Sequence, residues 1–373
     1  MNGTIRVGNL FGIPFYVHPS WFLVLGLVTW SYGSGLGAQF PQLGVGLALS
    51  LGLFTALLLF ASVVAHELGH SFVALRQGID VKSITLFIFG GLASLEKESQ
   101  TPGEAFWVAI AGPLVSLALF ALLTAIGIGT GATGILAAVL GVLASVNLAL
   151  ALFNLIPGLP LDGGNILKAL VWKITGNPYK GVMFASRVGQ FFGWVAIASG
   201  IIPLFAGNFD NLWNLLIGWF LVQNAGSAAQ FARVQERLTG LTAADAVTEN
   251  SPIVSADVTL RDFADQQIFA TQNWQKFLVT DVDGQLVGAI AFDDVRTVPT
   301  AMWSQTSVRE VMRPLTQSTT VKSDQPLLDV VRLLEQQKLT SLPVVRENGV
   351  LIGILEKAAI INLIQRRTVE NPA

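Results

Sequence analysis

The chain has 373 residues, 52% of them hydrophobic and only 12% charged, with a mean hydropathy of +0.60. A soluble globular protein carries about 25% charged residues, so a fold wholly clothed in water is excluded, and a net charge of −2 leaves no electrostatic reason to expect a nucleic-acid partner. The absence of cysteine excludes thiol catalysis, disulfides, thiolate metal sites and iron–sulfur chemistry, so any metal here must be held by nitrogen and oxygen.

Charge is unevenly placed. Residues 1–240 carry 10 Lys+Arg and 8 Asp+Glu, whereas residues 241–373 carry 12 and 16. The expected fold class is therefore an α-helical polytopic membrane protein over residues 1–240, followed by a soluble α/β module over 241–373. A membrane span needs about 20 mostly apolar residues. Six such runs are predicted: His18–Tyr32, Gly44–Leu75, Ala105–Ile128, Ile135–Ile156, Gly189–Phe205 and Leu212–Phe231. Met1–Tyr32 has a thin basic start and is followed at once by a long second span, so it is not expected to be a cleaved signal peptide. His18-Pro19 opens the first span at an interface where histidine is easily solvated, and a metal-ligand role for it is not preferred.

The second span contains His66-Glu67-Leu68-Gly69-His70. Helical residues i and i+4 share a face, so both imidazoles can grip one ion. Glu67 then lies beside that ion, placed to take a proton from water. In a soluble helix this pattern can be a coincidental solvated turn. Inside an apolar run an ionisable group costs at least a few kcal/mol, and three in five positions point to function. A zinc protease usually has three protein ligands plus water, and no further histidine is well placed. Between Ala105 and Leu161 no residue is charged; then comes Asp162, in Asn154-Leu-Ile-Pro157-Gly-Leu-Pro160-Leu-Asp162-Gly163-Gly164. Asp162 is the expected third ligand, with a plain turn residue as the alternative, since Pro and Asp-Gly mark turns.

Loops 33–43, 129–134 and 206–211 contain no Lys or Arg, while all ten basic residues of the first part fall in the alternate segments. Basic residues near span ends stay in the cytoplasm. Six spans with both termini cytoplasmic follow, in what is expected to be a prokaryotic plasma membrane. The second and fourth spans then run the same way, bringing His66, His70 and Asp162 to a similar, cytoplasm-proximal depth. Ala111-Gly112-Pro113 in the third span predicts close helix packing or a kink.

Residues 241–373 repeat. Asp245-Ala-Val matches Glu310-Val-Met, Phe277-Leu-Val-Thr matches Leu342-Pro-Val-Val, and Val287-Gly-Ala-Ile matches Ile352-Gly-Ile-Leu, each displaced by 65 residues. Asp283-Gly284 and Asn348-Gly349 predict one turn per copy, between short β-branched strands.

HExxH in an early span, N-x-x-P-x-x-P-x-D-G in a later one and a paired repeat behind them resemble the site-2 protease family of intramembrane metalloproteases with a tandem CBS module. The likeness covers essentially the whole chain. It implies one zinc ion per chain held by His66, His70 and Asp162, with Glu67 catalytic. Asn154 would bind or polarise the substrate carbonyl, a helix-terminal hydrogen bond being its alternative role. Val81–Leu95, too short to span, would be a re-entrant β segment whose Gly90-Gly91 region meets an unwound substrate by strand addition; a short amphipathic loop is the other reading. The implied partners are a transmembrane protein substrate and the lipid bilayer.

The CBS repeats are expected at about 241–300 and 306–367. Adenine nucleotides, often bound through Gly-x-x-Thr-x-x-Asp, are weakly supported. The first copy reads Gly288-Ala-Ile-Ala291-Phe-Asp-Asp294 and lacks the threonine, and the second reads Gly353-Ile-Leu-Glu356-Lys-Ala-Ala359 and lacks both residues. Regulation or homodimerisation through the pair stands beside nucleotide binding. Competing functions are a CBS-regulated metal or ion transporter and a catalytically inactive membrane scaffold. Clustering of the polar groups at one depth argues against the first, and the intact ligand set with Glu67 against the second. A soluble-type zincin with a membrane anchor is disfavoured by the position of the motif inside a span.

Overall fold

A computed structural model describes residues 3–88, 90–205, 207, 209, 211–248, 251–268, 276–314 and 320–370. The chain divides into two compact units, Met1–Arg233 and Val234–Ala373.

The first unit opens with a hairpin that the sequence does not announce. Strands β1 (Ile5–Leu10) and β2 (Ile13–Val17) pair antiparallel about Phe11 and Gly12, both at positive φ. Helices α1 (Ser20–Gln39) and α2 (Gly44–Arg76) follow. They cross so closely that a Cβ on Gly52 would sit 2.6 Å from the Gly33 nitrogen and the Thr29 carbonyl. Lipid offers no hydrophobic drive for helix association, so small residues that let backbones touch supply it through packing.

The segment Val81–Leu95 is a β-hairpin, β3 (Val81–Phe87) with β4 (Gly90–Leu95). Its first strand joins β2 in parallel, giving a four-stranded sheet in the order β1-β2-β3-β4 with β4 at an edge. Thr101 and Glu104 form a reciprocal capping box that starts α3 (Pro102–Gly129). Helix α4 (Gly134–Asn154) ends at the Pro157–Leu161 turn, and α5 (Asp162–Thr175), α6 (Pro178–Phe205) and α7 (Leu212–Leu238) complete the unit.

Among the described residues, four helical segments are long and apolar enough to cross a membrane: Pro41–Arg76, Pro102–Gly129, Gly134–Asn154 and Pro178–Phe205. The first and sixth predicted spans form helices, α1 and α7, but Ser, Tyr and Gln in one and Asn and Gln in the other dilute their apolar character. The fifth predicted span begins 11 residues too late, at Gly189 against Pro178. Helix α5, which the sequence reading did not anticipate, has 14 residues and is too short to span. It stops at Gly176, whose left-handed backbone suits glycine. Exposed Phe54, Leu57, Leu122, Leu152, Phe191 and Trp194 stud the helices, a surface that lipid covers and water would penalise.

The second unit builds each repeat as strand, helix and hairpin. In the first, β5 (Ile253–Ser255), α8 (Leu260–Ile268), β6 (Lys276–Thr280), β7 (Leu286–Ala291) and α9 (Phe292–Val295) lead through α10 (Val308–Val311) to β8 (Arg313–Pro314). In the second, β9 (Val321–Lys322), α11 (Leu327–Gln336), β10 (Ser341–Val345), β11 (Leu351–Glu356) and α12 (Lys357–Glu370) follow the same plan. The sheets run β5-β6-β7-β8 and β11-β10-β9. The two glycine turns meet, Leu351 donating its amide to the Gly284 carbonyl at 2.9 Å and Leu286 to that of Gly349 at 3.4 Å.

One repeat packs around buried Phe263, Phe277 and Ile290, and the other around Leu327, Leu334 and Leu355. Phe263 and Phe277 meet edge to face with centroids 5.0 Å apart. Asp294 is tied down: it accepts from the Ala291 amide at 3.0 Å and from the Arg313 guanidinium. Desolvation works against its charge, but these donors outweigh it and hold its carboxyl below the ordinary aspartate range.

Because Phe263 is fully buried against another ring, Phe263→Ala is expected to destabilise the second unit by about 3–5 kcal/mol. Limited proteolysis of the intact chain under rising denaturant should show cleavage within residues 241–373 at a lower midpoint, with the first unit's pattern unchanged.

Candidate metal centre

His66 and His70 lie one turn apart on α2, and Asp162 opens α5 immediately after the Pro157–Leu161 turn. The fold brings all three together. His66 Nε2 is 3.1 Å and His70 Nε2 3.3 Å from Asp162 Oδ2, and the two imidazole nitrogens are 3.3 Å apart. At these distances the two imidazole nitrogens and the carboxylate oxygen either share protons or surround a cation. Separations of this size match the edges of a tetrahedron whose metal–ligand bonds are about 2.0–2.1 Å. The donor set therefore fits a zinc ion in chemistry and spacing.

The outer nitrogens of both rings are engaged by α3. His70 Nδ1 lies 2.6 Å from the Val108 carbonyl, which can only accept, so Nδ1 carries a proton and, in the neutral ring, Nε2 is free to bind a metal. His66 Nδ1 is 2.9 Å from Ser116 Oγ. Between these contacts sits Gly112, where an added Cβ would overlap His70 Nε2 and come within 2.6 Å of His66 Nε2. Gly69 of α2 in turn lies against the Ala111 carbonyl of α3, 3.0 Å from where its Cβ would be. Ala111-Gly112-Pro113 is thus more than a packing motif: its glycine makes room for the imidazoles.

Glu67 lies in the same cavity, which has a volume of about 350 Å³. Gly91 of β4 presses on it, so that a Cβ there would overlap the Glu67 side chain and lie 2.9 Å from Oε1. Gly90 lines the cavity without such a contact and holds a positive φ of 131°. Asn154, the last residue of α4, also lines it, and β4 supplies a run of wall residues from Gly90 to Ala93. His18 stands apart: it is exposed at the start of α1, its Nδ1 2.8 Å from Ser20 Oγ.

Several cavity residues were not singled out from sequence. Asn165 and Lys168 of α5 and Glu98 beyond β4 line the wall, and Ser116 backs His66. Val108, Gly112 and Ser116 recur every four residues, the same period as His66 and His70. That spacing was available in the sequence, but nothing in it says which face of α3 meets α2.

The profile of peptidase family M50 matches residues 54–133 and 128–196, and that of the CBS domain matches residues 308–366. Among similar proteins, sll0528 of Synechocystis sp., named as a zinc metalloprotease, is 58% identical over 371 residues, covering 98% of this chain and 96% of its own. Rip3 of Mycobacterium tuberculosis, named likewise, is 33% identical over 368 residues, covering 98% and 93%. The site-2 protease from Methanocaldococcus jannaschii aligns with a TM-score of 0.43 and 29% identity, over 61% of this chain and 95% of that one. The long apolar helices mark a membrane protein, its enzyme class is zinc metalloprotease, and the chain belongs to peptidase family M50, the site-2 protease family, with a CBS-type α/β module.

Proposed function

We propose that the protein cleaves transmembrane segments of other membrane proteins, with His66, His70 and Asp162 holding the zinc ion and Glu67 as the general base. The observation that carries this is the meeting of two nitrogens and one carboxylate oxygen within 3.3 Å beside the Glu67 carboxyl, among long apolar helices. When bound, zinc polarises the scissile carbonyl and acidifies water at neutral pH. Glu67 accepts the proton of the attacking water and returns it to the leaving amine. Asn154 contributes its amide to the developing oxyanion, where a preorganised donor matters most.

A helix hides its carbonyls in its own hydrogen bonds, so the substrate must unwind to be cut. Strand β4 lies at the sheet edge and lines the cavity, a template on which an unwound segment adds as a further strand. Gly90 and Gly91 are the substrate-binding residues in this reading, and Gly91 lacks a side chain because Glu67 needs the room. The β3–β4 hairpin is then re-entrant, tolerated at membrane depth because it lines a cavity.

The layout that goes with this function has α1 and α7 completing six spans, both termini in the cytoplasm, the membrane domain at 1–240 and the CBS pair at 241–373. The CBS pair serves regulation or homodimerisation. Adenine nucleotide is disfavoured as its ligand, because Asp294, the one motif carboxylate retained, is already satisfied by Ala291 and Arg313.

Three results test the proposal. Glu67→Gln is expected to retain zinc by metal analysis while cleavage of a single-span reporter in liposomes falls below about 10⁻² of wild type; full proteolysis in this variant refutes the assigned role. His66→Ala and Asp162→Ala should each lose zinc and activity together. Gly91→Val, which forces a side chain onto Glu67, should lower kcat with zinc content unchanged, and wild-type turnover there would count against the placement of β4.

A further inference from the structure

We infer that Ser116 is a positioning residue for the metal, fixing His66 in the tautomer that binds it, and that the stripe Val108, Gly112 and Ser116 makes α3 a template for both imidazoles. This rests on the reading of His66 as a ligand. Ser116 is fully buried and His66 is 3% exposed, so water cannot stand in for a missing partner. The Ser116 hydroxyl lies 2.9 Å from His66 Nδ1, and no other hydrogen-bond contact to that atom is present among the described residues.

A metal on Nε2 requires the ring proton on Nδ1, and a buried N–H needs an acceptor. For His70 the acceptor is a main-chain carbonyl, that of Val108, which side-chain substitution cannot remove. For His66 it is a side chain. Groups that hold the outer nitrogen of a ligating histidine orient the ring and raise its basicity, and losing one typically lowers metal affinity about 10- to 100-fold.

Geometry gives the stripe a consistent logic. His66 and His70 are four residues apart on α2, and their α3 partners, Ser116 and Val108, are eight apart, with Gly112 between them where an added Cβ would run into both rings. The rings splay from a shared centre, Nε2 atoms 3.3 Å apart, and their outer nitrogens reach for positions two turns apart on the facing helix. Gly112 marks where they come together.

The test uses the full chain in detergent, stripped of metal and titrated with zinc against a competing chromophoric chelator. Ser116→Ala is expected to weaken zinc binding about 10- to 100-fold with the unfolding temperature of the metal-free protein unchanged, and Ser116→Thr, which keeps the hydroxyl, should recover most of it. Wild-type affinity in Ser116→Ala overturns the inference, as does a loss that Ser116→Thr shares in full. Should Ser116→Ala not fold, Ser116→Cys, a poorer acceptor, must bind zinc more weakly than wild type, and equal affinity overturns the inference. His66→Ala is the control: undiminished zinc binding there sinks the ligand assignment itself, whereas its loss beside an unaffected Ser116→Ala sinks only the role of Ser116.

Discussion

Two imidazole nitrogens and a carboxylate oxygen, brought within 3.3 Å of one another in a largely buried pocket, form a cluster with the spacing of a metal's ligands. Polar and charged groups are expensive among apolar helices, so the structure surrounding them must be built to hold them in place. Helix α2 supplies both histidines on one face, the Pro157–Leu161 turn swings Asp162 back towards them, and α3 backs both rings.

Much of the holding is done by residues with no side chain at all. Gly112 lets α3 approach the imidazoles, Gly91 lets β4 lie on Glu67, and Gly52 lets α2 pack on α1. Around the turn that carries Asp162 the same device recurs: a Cβ on Gly158 would be 2.5 Å from the Gly189 Cα, and one on Gly163 or Gly164 would run into the backbone of residues 155–159. In a water-soluble core, large apolar side chains would drive such contacts. Among apolar helices, tight backbone packing replaces them, and it leaves little slack in the position of His66, His70 and Asp162.

The second unit obeys different rules. Its cores are conventional, with large apolar side chains at low exposure, and its repeats meet through their glycine turns. The Asp294–Arg313 pair shows how a residue that suggests a ligand in sequence becomes a structural anchor in three dimensions. Its oxygens accept from its own chain, and its charge is balanced within the unit.

By itself the sequence determined the candidate site and the two-part organisation: the helical period of His66 and His70, the long uncharged stretch that ends at Asp162, the apolar runs and the 65-residue repeat are all local or compositional signals. The β character of the β3–β4 segment was an expectation from the family resemblance, with a short amphipathic loop as the other reading, and the structure shows a hairpin there. The sequence was blind to the β1–β2 hairpin and to α5, whose short lengths carry little periodicity, and it set the start of α6 11 residues late because hydropathy falls at a polar helix end that still folds as helix. Only the tertiary structure decided that α3 presents Val108, Gly112 and Ser116 to the histidines, that Gly91 touches Glu67, and that Arg313 closes on Asp294. Each of these depends on which faces of distant segments meet, and no spacing within a single segment encodes that.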